Sequence, residues 1–111
     1  MANIAEQIVD MLVKAGVKRI YAVTGDSLNK INDAVRKDGR IQWIHVRHEE
    51  TGAFAAGAEA QLHGNLACCA GSSGPGHVHL INGLYDAHRS GAPVLAIAST
   101  IISGEFGTTY W

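Results

Sequence analysis

Glu49 is the residue best placed to do chemistry in this chain. It stands in Arg47-His48-Glu49-Glu50, directly after the apolar run 41–46 and at the head of an alanine-rich segment. A strand followed at once by a helix puts that residue at the carboxyl edge of a parallel sheet, where open α/β sheets bind ligands. A carboxyl group half withdrawn from water there can share a proton with a bound heterocycle. The blander readings are a first-turn acid that favours the helix dipole, or an ion pair with Arg47 or Arg89. Glu50 is the rival carboxylate, and reads as a solvated first-turn acid.

A second candidate is the glycine-rich stretch Gly71-Ser72-Ser73-Gly74-Pro75-Gly76. It lacks the Lys-Ser/Thr ending of a P-loop and the Gly-x-Gly-x-x-Gly spacing of a Rossmann turn. Its glycines instead allow a flat ring to lie against bare backbone. His77, His79 and His88 follow, at spacings that do not give the four-residue pair of a zinc helix, so they read as polar or subunit-contact residues. Asp26 or Ser27 reads as an N-cap, with a ligand-edge contact at Asp26 as the minor alternative. Asn82 reads as a helix-face amide satisfied by a neighbouring loop. No metal-ligating set emerges.

The elements that position these residues follow from periodicity. Ile4, Ile8, Met11, Leu12 and Ala15 recur at helical spacing after Asn3, and Gly16 suits a left-handed cap, giving a helix over 4–15. Strands are expected at 19–23, 41–46, 66–70 and 94–98, with helices at 28–37, 49–63 and 77–89. Pro75 suits the first turn of the last of these. In the helix over 49–63, Gly52, Ala53, Ala55, Ala56, Gly57, Ala58 and Ala60 let a neighbouring backbone come close, and Phe54 is its one large anchor. Strands that alternate with helices and are apolar throughout predict a doubly wound α/β fold, a parallel sheet with helices on both faces. That body covers residues 1–99, and 100–111 reads as an irregular tail of a chain expected to be a fragment of a longer enzyme.

Composition narrows the partners. Formal net charge is −1 and the basic residues are scattered, so no stripe exists for nucleic acid. No apolar run approaches the ~20 residues of a membrane helix, and residues 1–14 do not form a signal peptide. Cys68 and Cys69 are adjacent in a predicted strand and point to opposite faces, which predicts two free thiols and a cytoplasmic setting. The parent enzyme is allowed a membrane association.

Several of these motifs together resemble a known family. Gly16-Val17-Lys18-Arg19-Ile20, Val23-Thr24-Gly25-Asp26-Ser27-Leu28, Arg47-His48-Glu49-Glu50 with Ala53-Phe54-Ala55-Ala56-Gly57-Ala58-Glu59-Ala60, and Gly74-Pro75-Gly76 with Leu80-Ile81-Asn82-Gly83-Leu84 are similar to the pyrimidine-binding domain of thiamine-diphosphate enzymes. The nearest branch is bacterial pyruvate oxidase and quinone-dependent pyruvate dehydrogenase. The resemblance implies thiamine diphosphate as cofactor, and Mg2+ and FAD in the parent enzyme at sites outside this chain. It implies pyruvate or a related 2-oxo acid as substrate, the remaining domains of the parent as partners, and a homo-oligomer.

The same resemblance assigns Glu49 to pyrimidine nitrogen N1′, where a carboxyl favours the imino tautomer whose exocyclic nitrogen acts as intramolecular base. It places Gly25, Asp26, Ser72, Gly74, Pro75, Gly76 and Asn82 around the cofactor, and Trp111 at a substrate-pocket position usually held by phenylalanine. Gly25-Asp26-Ser27 begins like the family's magnesium motif, but its third residue is serine and it follows the first strand, so it belongs to the pyrimidine domain. The alternatives are another 2-oxo-acid enzyme, such as an acetolactate synthase or a decarboxylase, or a non-catalytic binding or assembly module.

Overall fold

The computed structural model describes residues 1–109. Tyr110 and the substrate-pocket candidate Trp111 lie outside the described residues. Its elements are α1 (Ile4–Lys14), β1 (Arg19–Ala22), a 3-10 turn (Asp26–Leu28), α2 (Asn29–Asp38), β2 (Gln42–His45), α3 (Glu49–His63), β3 (Ala67–Gly71), α4 (Pro75–Val78), α5 (Ile81–Arg89), β4 (Val94–Ala98) and a second 3-10 turn (Ser103–Glu105). The four strands pair in the order β2-β1-β3-β4, all parallel, with helices on both faces.

Local signals explain most boundaries. Asn3 Oδ1 accepts from the Glu6 amide while Glu6 Oε2 accepts from the Asn3 amide, a reciprocal cap at the start of α1. Gly39 and Gly64, at φ +76° and +68°, stop α2 and α3 in the left-handed region that other residues resist. Strand alternation then sorts the core. Ile20, Ala22, Cys68 and Ala70 pack with Val9, Leu12, Leu28 and Val35 on the α1/α2 side, whereas Cys69 and Ala67 pack with Ala53, Ala56, Ala60 and Leu80 on the α3/α5 side. Each of Val9, Ile20 and Leu28 is fully buried and contributes about 1.5–3 kcal/mol. Both cysteines are free and buried, on opposite faces.

Three expectations change. The single helix over 77–89 is two, because the Leu80 amide turns back to the His77 carbonyl and Leu80 is buried to 1% exposure between the two segments. Phe54 is no anchor: it is 41% exposed, since Ala53, Ala56, Gly57 and Ala60 form the inward face and Phe54 stands about a quarter-turn off it. Neither Asp26 nor Ser27 caps a helix; Gly25 and Leu28 occupy the cap positions, neither with a side-chain bond. Ser27 is engaged elsewhere.

Candidate active site

The strand order reverses direction between β1 and β3. Chain leaving β1 passes through α2 to β2 on one side, and β3 lies on the other, so their carboxyl ends open a crevice at a topological switch point. Two glycine-bearing loops meet there. A Cβ on Gly25, in the loop after β1, would lie 2.5 Å from Ser72 Cβ, and one on Gly76 would lie 2.5 Å from Ser72 Oγ. Ser72 therefore fits only because both neighbours lack side chains. A Cβ on Gly71 would meet the His77 Cα at 2.6 Å and the Gly76 carbonyl oxygen at 2.8 Å, so the turn closes tightly on itself.

Glu49 borders this turn. Its Oε1 lies 3.3 Å from the point a Gly76 Cβ would occupy, and the residue is 8% exposed, the buried charged residue of the core. Its carboxyl makes no hydrogen bond or ion pair among the described residues, so the expected alternatives of a bridge to Arg47 or Arg89 do not occur. The side chain is largely buried while its carboxyl oxygens keep a residual opening to solvent, since Trp43 Nε1 is the buried side-chain polar atom left without a partner among the described residues. The acid is held where a ligand group can meet it.

Glu50 behaves differently. Its amide donates to His48 Nδ1 at 3.2 Å, and its Oε2 accepts from Asn82 Nδ2 at 2.8 Å, tying the start of α3 to the start of α5. It is half-buried rather than a free solvated acid, and it takes up the amide of Asn82. Asp26 is exposed, Pro75 opens α4, and Gly74 precedes it at φ +68°. Gly25, Glu49, Ser72 and Gly76 thus converge, whereas Asp26 and Asn82 face solvent.

Two groups escaped the sequence reading. His48 and His79 pack with ring centroids 4.5 Å apart and planes tilted by 47°, and with Glu49 they bring three potential metal-ligand atoms within 4.8 Å of one another. Because His48 Nδ1 accepts from a backbone N–H, a neutral His48 carries its proton on Nε2. A metal ion would have to disrupt that cap or displace that proton. Ser27 and Ser99, 72 residues apart, join through their hydroxyls at 2.7 Å. Ser99 directly follows the end of β4, whereas Ser27 lies in the 3-10 turn after β1 and reads in sequence as a cap.

Residues 2–110 match the family described as thiamine pyrophosphate enzyme, N-terminal TPP binding domain. The chain belongs to the thiamine pyrophosphate enzymes. An uncharacterized 42.6 kDa protein of Pseudomonas amyloderamosa is 63% identical over all of this chain and 28% of its own length. Pyruvate oxidase of Lactiplantibacillus plantarum is 48% identical across 92% of the chain and 16% of that protein. An acetolactate synthase of Bacillus subtilis is 36% identical across 91% of the chain and 18% of that protein. The chain spans less than a third of the length of these curated relatives. For a thiamine pyrophosphate enzyme the site fits its cofactor: the carboxyl of a largely buried glutamate lacks a protein partner and keeps a residual opening to solvent beside the glycine turn.

Proposed function

We propose that this chain is the pyrimidine-binding part of a thiamine-diphosphate flavoenzyme that oxidatively decarboxylates pyruvate to acetate or acetyl phosphate. One observation carries the reading: Glu49 is buried to 8% exposure at the switch-point crevice with no partner of its own. The cofactor, when bound, supplies a thiazolium carbon that adds to the carbonyl of a 2-oxo acid. Glu49 would hold a proton at pyrimidine N1′, from a side chain largely withdrawn from water. Gly25, Ser72, Gly74, Pro75 and Gly76 form the wall against which the ring lies, and Glu50 and Asn82 brace the start of α3.

The pyruvate oxidase branch is favoured over acetolactate synthase by the 48% identity against 36%, and by Gly83-Leu84-Tyr85-Asp86-Ala87-His88-Arg89. Mg2+ and FAD would be held by other parts of a homo-oligomeric parent, and free buried thiols support a cytoplasmic setting. Calorimetry with thiamine diphosphate tests the reading. Weak binding by the 111-residue chain is expected, reduced at least about tenfold in Glu49→Ala, a loss of ~1.4 kcal/mol. Equal affinity of both proteins would favour a non-catalytic assembly module. With thiamine diphosphate, Mg2+, FAD and pyruvate supplied, this chain alone is expected to reduce no electron acceptor, and sustained turnover would contradict the proposal.

A further inference from the structure

We infer that Ser27, Ser99 and His77 are positioning residues that lock the glycine turn 71–76 in its ligand-receiving shape. The hydrogen bonds fix their own direction. The Ser73 amide donates to Ser27 Oγ at 2.9 Å, and Ser99 Oγ donates to the Gly71 carbonyl at 3.1 Å. The Ser27 and Ser99 hydroxyls lie 2.7 Å apart, so Ser27 must donate to Ser99, and a single ordered chain runs from Ser73 to Gly71. The Ser99 amide adds a second bond to the same Gly71 carbonyl, also 3.1 Å long.

His77 closes the other side. Its amide donates to the Ser72 carbonyl at 2.8 Å, and its Nδ1 lies 3.2 Å from that oxygen and 3.1 Å from the Ser99 carbonyl. Both partners are acceptors, so Nδ1 carries a proton. The loops after β1, β3 and β4 are thereby tied to one turn, whose Gly76 stands beside Glu49. A turn rich in glycine would otherwise lose much conformational entropy on meeting a ligand. The ligand role rests on the proposed function; the lock itself rests on these bonds alone.

The test uses NMR on the full 111-residue chain. Nitrogen-15 shifts should show His77 with its proton on Nδ1, and a proton confined to Nε2 would overturn the lock without any variant. Ser27→Ala and Ser99→Ala should each speed deuterium exchange of the Ser73 amide about tenfold, the loss of one hydrogen bond, while the Cys68 and Ala70 amides in β3 keep their rates. Ser99→Thr, which retains the hydroxyl, should restore protection. Unchanged Ser73 exchange, or an equal rise at all three amides, would overturn it. Thiamine diphosphate affinity should fall in the alanine variants with Glu49 intact. If the wild-type chain binds no thiamine diphosphate, the proposed function fails, and the exchange and tautomer results still decide the lock.

Discussion

The two helical layers reach the same sheet by different means. On the α1/α2 side, branched and long aliphatics such as Val9, Leu12, Ile20, Leu28, Val35 and Ile41 fill the space, with flexible contacts that can relax around a change. On the α3/α5 side, alanines fill it, and Gly83 is pressed so closely to α3 that a Cβ there would collide with Ala53 Cβ and lie 2.7 Å from the Phe54 amide nitrogen. The second layer gains position at the expense of tolerance. It is also the layer whose first residue is Glu49, so the helix carrying the candidate acid is the one that cannot shift.

Gly83→Val attacks that contrast most directly. The added carbons meet backbone, which cannot turn aside, and the expected loss is about 3 kcal/mol or more in urea unfolding. An unchanged midpoint would show that the close approach is not a constraint. Leu28→Ala empties the opposite layer and should cost about 2 to 3 kcal/mol, the lower part of the usual range, because the surrounding aliphatics can close in. A larger cost than Gly83→Val would reverse the comparison.

Alkali probes both layers from the sheet between them. Burial pushes the thiols of Cys68 and Cys69 from 9.0 up to about 12, with Cys69 adding to the shift of Cys68. Burial, and then the hydrogen bond to Glu59, also raises Tyr21. In all three the unfolded chain loses its proton first, so stability is fully present below pH 9 and declines as pH rises toward 12. The thiol contribution is about 1.4 kcal/mol for each unit a full ionisation gap spans. Urea midpoints at pH 8, 9, 10 and 11 should fall progressively; a flat profile would mean the thiols are not buried as described. The smallest effect is expected at Asp33, an exposed residue paired with Arg36 and Lys37 in α2. Asp33→Asn should leave the midpoint at pH 7 unmoved.

The strands, their all-parallel pairing and the limits of α3 were legible because apolar periodicity and glycine stops act within a few residues. Glu49 was legible for the same reason, as a strand end and a helix start flank it. The break at His79 and Leu80 was not, since it serves the burial of Leu80 between segments that meet only in the folded chain. Phe54 misled because size suggested an anchor where the period of the helix pointed it outward. Ser27 was read as a cap, the commonest fate of a serine before a helix, and its actual partners come from the ends of β3 and β4. The His48–His79 pair required two elements to be brought together.

The adjacent thiols offer a built-in pair of reporters. Peptide geometry sends one toward each helical coat, so a small alkylating reagent reaches Cys68 only when α1 and α2 lift away, and Cys69 only when α3 and α5 do. Mass spectrometry of singly tagged molecules would then reveal which coat peels first.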